Sequence, residues 1–172
     1  MLAENEVTPV PLDGPLSGPR SWLFGRPSWL PAPERSAGPP TQLRRADRIL
    51  IIEDDLLISS QMEATLYDAG FDVIATVTTG EEAIEIARAQ APDLAVVDIR
   101  LAGDHDGVDT ALELFRLHGV RCIFASAFAD RDARLRAEPA SPLGWLQKPY
   151  TMASLTELVR AAVREIRGKG RE

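Results

Sequence analysis

The chain has 172 residues, a formal net charge of −7 at pH 7, 45% hydrophobic residues and a single cysteine. The acidic balance argues against a nucleic-acid-binding protein, which usually carries a basic face, and no apolar run reaches the roughly 18 residues that a membrane span requires. One cysteine excludes an internal disulfide, so a reducing compartment fits, and Cys122 within an apolar run is expected to be a buried core thiol. The N-terminus lacks the basic start and apolar stretch of a secretion signal, so we expect a cytoplasmic protein without membrane contact.

The N-terminal quarter of the chain differs in composition from the rest. Nine of the thirteen prolines fall in residues 1–40, and the stretch has no sustained period of a strand or a helix. We therefore predict that residues 1–46 are a Pro-rich, largely disordered extension. Within it, the segment SWLFGRPSWL at residues 21–30 holds two of the three tryptophans. This segment is either a docking motif or part of a weakly collapsed tail.

From residue 47 to residue 167 the pattern alternates between strands and helices, and residues 168–172 are expected to be a tail. Apolar runs predict five strands, at 48–53, 71–77, 93–99, 120–126 and 143–147. Helical spacing predicts a helix after each strand, at 59–70, 79–92, 107–119, 130–138 and 151–167, of which the fourth is short and the fifth closes the domain. Strict alternation predicts an α/β fold, in which a doubly wound five-stranded parallel sheet carries helices on both faces.

In such a sheet, ligands bind at the carboxyl ends of the strands. Four of the five predicted strands end in polar or charged residues, which are Glu53, Asp54 and Asp55 after the first strand, Asp98 on the third, Ser126 on the fourth and Lys148 after the fifth. Because the carboxyl ends of parallel strands meet at one edge of the sheet, we expect these side chains to lie close together.

The chemistry of these residues favours a small, hard cation and a phosphoryl group. Neighbouring carboxylates cannot all stay ionised without a positive charge, and oxygen ligands without histidine or cysteine suit Mg²⁺. A carboxylate can attack a phosphoryl group to form an acyl phosphate, and Asp98 is the candidate nucleophile. Lys148 supplies a point charge and Ser126 a hydroxyl donor for phosphoryl oxygens.

Five stretches of the chain point to a known family. They are, in order, ILIIEDD, PDLAVVDIRL, the DG at 106–107, FASA and WLQKPY. With them, residues 47–167 resemble the receiver domain of bacterial two-component response regulators. The resemblance implies a flavodoxin-like strand order of 2-1-3-4-5. It also implies that Glu53 and Asp54 bind the metal, that Asp98 is the phosphoacceptor and that the carbonyl of Arg100 is a further metal ligand.

By the same resemblance, Ser126 matches the switch hydroxyl and Lys148 the family's lysine. Trp145 falls where the family often has a switching aromatic, although it could equally be an ordinary core or surface residue. A cis peptide bond is expected between Lys148 and Pro149.

Other residues near the site have simpler interpretations. Asp55 is expected to favour the start of the first helix through the helix dipole rather than to bind metal. Asp104, Asp106 and Asp109 could suggest a second metal cluster, but a loop and a helix start, with Asp106 leading into Gly107, is the simpler account. The lone histidines, His105 and His118, are expected to be surface residues.

The sequence departs from the usual pattern of the family at three places. The loop after Asp98 is one residue longer than the commonest spacing, and Ala102 and Gly103 stand where a proline is often found. Arg100 and Phe128 are bulky residues two positions past Asp98 and Ser126, and we expect Phe128 to slow hydrolysis of an acyl phosphate by crowding the attacking water. The predicted fourth helix is short and rich in arginine, which makes an atypical output face plausible.

The function expected from this resemblance is that of a stand-alone response regulator. It would take a phosphoryl group from a histidine kinase or a histidine phosphotransfer protein and would signal to a downstream protein target. No output domain is expected, and a homodimer is a possible assembly. One alternative is a receiver-like binding module that is never phosphorylated. Another is a Mg²⁺-dependent phosphatase or phosphotransferase, but such enzymes usually place a second acid where this chain has Arg100, so an enzyme is not expected.

Overall fold

The computed structural model describes residues 45–101, 106–126 and 131–169. Its elements are β1 (Arg48–Ile52), α1 (Leu56–Asp68), β2 (Asp72–Val77), α2 (Gly80–Gln90), β3 (Leu94–Asp98), α3 (Gly107–His118), β4 (Cys122–Ser126), α4 (Arg131–Ala137), a 3₁₀ turn (Glu138–Ala140), β5 (Gly144–Gln147) and α5 (Met152–Lys169). Residues 1–44 of the predicted extension, with its Trp-containing segment, lie outside the described residues, as do Ala102, Gly103, Asp104, His105 and Phe128, so the predictions made for them remain predictions.

The five strands form one parallel sheet in the order β2-β1-β3-β4-β5. This confirms the predicted fold class and strand order. The three central strands are buried along almost their whole length, because helices cover both faces. Within the described residues, no helix is long and apolar enough to cross a membrane.

The alternation of side chains along each strand divides the core into two layers. In β1, Ile49 and Ile51 face the layer formed with α1 and α5, whereas Leu50 and Ile52 face the layer formed with α2, α3 and α4. Burial of these apolar side chains on both faces fixes the register of the sheet. Cys122 lies in the second layer with 1% of its surface exposed, as predicted, and burial raises the pKa of its thiol to about 12.

Side-chain caps set the starts of the helices. Asp55 Oδ1 accepts hydrogen bonds from the backbone N–H groups of Leu57 and Ile58, so Asp55 is the N-cap of α1, in line with its predicted role at the helix start. Helix α1 begins at Leu56 rather than at the predicted residue 59. The sequence pattern missed this first turn because Leu56 and Leu57 are apolar but 72% and 82% exposed.

Helix α4 has only seven residues and is followed by the 3₁₀ turn, which confirms the prediction of a short, arginine-rich fourth helix. The side chains that α4 and the turn bury are all alanines, namely Ala133, Ala137 and Ala140. Alanine buries little apolar area, so this face contributes little hydrophobic stabilisation to the position of α4.

The prediction that His118 is a surface residue is only partly right. The residue lies on the last turn of α3 and is half-buried, and its Nε2 atom is buried without a hydrogen-bond partner among the described residues. The position near a helix end did not indicate this burial.

Candidate functional site

The predicted acidic residues meet at the carboxyl edge of the sheet. Ile52 of β1 and Val97 of β3 are in register. Glu53 follows Ile52 directly after β1, and Asp98 is the last residue of β3, so the two acids lie at neighbouring strand ends. Glu53 is 1% exposed and Asp98 is 8% exposed, whereas Asp54 is exposed to solvent. The three residues each offer a carboxylate oxygen within 4.8 Å of the others.

Lys148 joins two of these acids. Its Nζ atom donates to Asp98 Oδ2 at 2.7 Å and to Glu53 Oε2 at 2.8 Å. Lys148 follows β5, and its backbone N–H donates to the carbonyl of Ser126 at 2.7 Å, which extends the β4–β5 pairing past the strand end. The peptide bond between Lys148 and Pro149 is cis, as the resemblance implied.

The pKa values of this cluster reflect burial and mutual charge. Burial raises the pKa of Glu53, and the charge of Asp98 adds to the rise, while the hydrogen bond from Lys148 opposes it. For Lys148, burial alone would lower the pKa, but the hydrogen bonds to Asp98 and Glu53 outweigh burial and raise it. Lys148 is therefore a fully charged cation near neutral pH, and it compensates acids that would otherwise repel one another.

This donor set fits Mg²⁺. All three side chains provide oxygen, and Asp54 leaves one side of the cluster open to water, which Mg²⁺ tends to keep in its coordination shell. Arg100 has an exposed side chain, and its backbone N–H donates to Asp98 Oδ1 at 3.2 Å, which fixes one face of that carboxylate. The assignment of the Arg100 carbonyl as a further ligand remains a prediction.

Ser126 and Trp145 lie on the same face of the sheet, near its carboxyl edge. Ser126 ends β4 and is half-buried, one residue beyond the partner of Asp98 in the β3–β4 register. The Trp145 ring on β5 stacks on Phe124 with centroids 4.6 Å apart, and the Arg134 guanidinium lies 4.7 Å from the Trp145 ring centroid. Trp145 is thus a half-buried bridge between β4 and α4, and its predicted switching role remains a prediction.

The start of α3 is closer to the phosphoacceptor candidate than the sequence indicated. A Cβ atom added to Gly107 would lie 1.9 Å from the backbone oxygen of Asp98, so only glycine fits there. Asp106 caps α3 through Val108 N–H and Asp109 N–H, which confirms that it begins a helix. The Asp-Gly pair was a visible signal for the cap and the helix start, but nothing in the pattern indicated the contact with Asp98.

Arg136 on α4 was also missed. Its Nη2 atom lies 2.8 Å from Asp106 Oδ2 and 3.0 Å from Asp109 Oδ1. Burial on its own would raise the pKa of Asp106, but the backbone hydrogen bond from Asp109 and the ion pair with Arg136 outweigh it and lower the pKa. These contacts span 27 to 30 positions of sequence, and no short-range motif marks them.

A surface cavity opens beside the acidic cluster. It has a volume of about 460 Å³ and is lined by Ile58, Gln61, Lys148, Pro149, Tyr150 and Met152. The exposed Leu56 and Leu57 lie on the same helix as two of these residues. The edge of the sheet that carries Asp98 therefore has apolar surface next to it, between α1 and the start of α5.

Comparisons of the sequence with known proteins agree with this architecture. Residues 49–160 match the family model described as the response regulator receiver domain. The transcriptional regulatory protein PdtaR of Mycobacterium tuberculosis is 31% identical over 132 residues, which are 76% of this chain and 64% of that protein. The chemotaxis protein CheY of Bacillus subtilis is 27% identical over 115 residues, which are 66% of this chain and 95% of CheY.

A further relative and a solved structure are also similar to this chain. The phyllosphere-induced regulator PhyR of Methylorubrum extorquens is 34% identical over 119 residues, which are 69% of this chain but 44% of PhyR. Among solved structures, the signal receiver domain of a modulated diguanylate cyclase from Desulfovibrio desulfuricans aligns with a TM-score of 0.67 and 32% identity, covering 73% of this chain and 99% of that domain. The chain thus spans less than two thirds of PdtaR and PhyR.

Proposed function

The chain belongs to the response regulator receiver domain family, and on that premise we propose that it accepts a phosphoryl group on Asp98 from a phosphohistidine of a histidine kinase or phosphotransfer protein. The observation that carries this proposal is the position of Lys148, whose ammonium group bonds to Asp98 and Glu53 at once. Lys148 thereby holds the carboxylates of Asp98 and Glu53 close together at a sheet edge that the exposed Asp54 leaves open to solvent, and a carboxylate in such a place can act as a nucleophile.

In the proposed transfer, a carboxylate oxygen of Asp98 forms a bond to phosphorus while the phosphorus–nitrogen bond of the phosphohistidine breaks. The bonding electron pair remains on the imidazole nitrogen, and the product is an acyl phosphate on Asp98. Arg100 N–H, already bonded to Asp98 Oδ1, orients the carboxylate. Lys148 is placed to bind a phosphoryl oxygen, and the Ser126 hydroxyl is proposed to donate to another.

Glu53, Asp54 and Asp98 would hold Mg²⁺, together with the carbonyl of Arg100. When bound, the ion supplies positive charge that offsets the repulsion between the acids and the incoming phosphoryl oxygens. Without the ion, Lys148 performs part of this neutralisation, because its ammonium group contacts both buried acids.

A protein, rather than only a small molecule, is the proposed donor. Leu56 and Leu57 are largely exposed one turn from the acid cluster, and the cavity next to Lys148 has apolar walls. A partner that covers this surface would bury apolar area at the moment of transfer, which favours a specific complex. The identity of the kinase or phosphotransfer protein does not follow from these contacts.

We further propose that the output is carried by protein contacts of the face formed by α4 and β5. Movement of Ser126 toward a phosphoryl group would act on β4, and Trp145 links β4 to α4 through Phe124 and Arg134. A downstream protein target, or a second copy of the chain, would read the resulting change.

Incubation with acetyl phosphate and Mg²⁺ tests the proposal against the alternative of a receiver-like module that is never phosphorylated. The expected result is an acyl phosphate on the wild-type chain that is absent from Asp98→Asn. A chain that stays unmodified with acetyl phosphate and with a panel of phosphorylated kinases would support the binding module instead. Turnover of a small phosphate ester would favour the enzyme alternative, which Arg100 argues against.

A further inference from the structure

Helix α4 makes polar contacts with two neighbouring elements. Its buried residues, Ala133 and Ala137, offer small side chains that interlock little with the layer beneath them. Two arginines on the same short helix make specific contacts instead. Arg134 lies over the Trp145 ring, and Arg136 binds Asp106 and Asp109. The position of α4 is therefore tied both to β5 and to the start of α3.

The start of α3 is in turn packed on the phosphoacceptor. Gly107 N–H donates to the carbonyl of Ile99 at 2.9 Å, and the Gly107 Cα leaves no room for a Cβ against the Asp98 carbonyl. Asp106 uses Oδ1 to cap α3 and Oδ2 to bind Arg136, so the two tasks do not compete. A continuous line of contacts runs from Arg136 through Asp106 and Gly107 to the backbone of Asp98.

We propose that Arg136 is a positioning residue that holds the start of α3 against Asp98 and so fixes the geometry of the acceptor carboxylate. Its side chain is 48% exposed, and those of Asp106 and Asp109 are 36% and 49% exposed. Exposed ion pairs contribute little to global stability. The effect of removing Arg136 is accordingly expected in the local geometry next to Asp98 rather than in the melting temperature.

The test compares four single variants of the 172-residue chain, and one double variant, with the wild type. Arg136→Gln removes the ion pairs with Asp106 and Asp109, and Arg136→Lys keeps the charge. Asp106→Asn removes the charge but keeps a side chain that caps a helix N-terminus about as well as aspartate does. Arg131→Gln is the matched control, because it removes an exposed arginine from the first turn of the same helix.

The first measurement is the hydrogen-exchange rate of the Gly107 amide, followed by NMR in the metal-free protein. Arg136→Gln and Asp106→Asn should each accelerate this exchange by about two- to five-fold, as expected for the loss of an exposed pair. Arg136→Lys should restore part of the protection, and Arg131→Gln should change nothing. The double variant should exchange no faster than Arg136→Gln alone, because Arg136→Gln already removes the ion pair with Asp106.

The second measurement is the Mg²⁺ dissociation constant by calorimetry, and this arm rests on the proposed function. It should rise by about two- to five-fold in the same two variants and stay at the wild-type value in Arg131→Gln. An unchanged Gly107 exchange rate in Arg136→Gln, or an equal change in Arg131→Gln, would overturn the proposal. If the wild type itself binds no Mg²⁺, the proposed function fails, and the exchange rate of Gly107 still decides the role of Arg136.

Discussion

The ammonium nitrogen of Lys148 lies 2.7 Å from a carboxylate oxygen of Asp98, although the two residues are 50 positions apart in the chain. The same nitrogen lies 2.8 Å from Glu53, which comes 95 positions before it. Three strand ends are thus connected by one side chain. The parallel sheet explains this arrangement, since it brings the carboxyl ends of β1, β3 and β5 to one edge.

Replacing Lys148 by glutamine should destabilise the metal-free protein. The variant leaves two nearly buried carboxylates facing each other without a cation, which should lower the free energy of unfolding by about 1–3 kcal/mol. Urea denaturation in the presence of a chelator measures the loss, and saturating Mg²⁺ should recover part of it. Lys169→Gln is the control, because Lys169 is 68% exposed and should give a change near zero. Equal stability of the two variants would contradict the compensating role of Lys148.

Replacing Gly107 by alanine should impair the site as well as the fold. The added methyl group would overlap the Asp98 carbonyl, and relief of the overlap must move either the start of α3 or the acceptor strand. We expect a loss of about 1–3 kcal/mol in stability together with a marked fall in phosphorylation by acetyl phosphate.

Gly168→Ala provides the matched control for this substitution. Gly168 lies in α5 with no atom within 4 Å of an added Cβ, so alanine should be neutral or stabilise the helix by up to about 1 kcal/mol. Wild-type phosphorylation of Gly107→Ala would show that the close contact with Asp98 is not required.

Sequence alone predicted the parts of the molecule that depend on local pattern. The apolar runs of β1 and β3 follow from side-chain periodicity, and the place of Asp55 at the start of α1 follows from the helix dipole. The strand-end positions of Glu53, Asp98 and Lys148 then followed from the topology of a parallel sheet. These residues meet where they were expected, and the roles assigned to them remain to be tested.

The remaining features depend on contacts between distant elements. Helix α1 starts earlier than predicted because Leu56 and Leu57 are helical yet exposed, so the apolar period did not include them. The pairing of Arg136 with Asp106 depends on the position of α4 relative to α3, and no short-range pattern in the sequence indicates that position. The closeness of Gly107 to Asp98 is a backbone contact, which no side-chain pattern reports.

Asp106 should make a small contribution to the acid sensitivity of the fold. Its pKa in the folded chain lies below the ordinary value of 3.8, so its contribution to stability is complete above pH 3.8 and is lost as the pH falls through the folded pKa. In Asp106→Asn this pH-dependent part is absent. The difference in urea midpoint between wild type and variant should therefore be constant above pH 3.8 and should shrink at lower pH.

The ion pair with Arg136 is one cause of the lowered pKa of Asp106. Below pH 3.8, the urea midpoint of Arg136→Gln should therefore depend on pH more nearly as that of Asp106→Asn does. A gap between wild type and Asp106→Asn that widens as the pH falls below 3.8 would contradict the assigned direction.

The central claim is that Asp98 is the acceptor of a phosphoryl group, and mass spectrometry of the chain after incubation with acetyl phosphate and Mg²⁺ tests it most directly. The account predicts a single phosphoryl adduct that is labile to hydroxylamine, is located by peptide mapping on Asp98, and is absent from Asp98→Asn and from wild type treated with a chelator. An adduct on another residue, or an adduct that persists in Asp98→Asn, would contradict it.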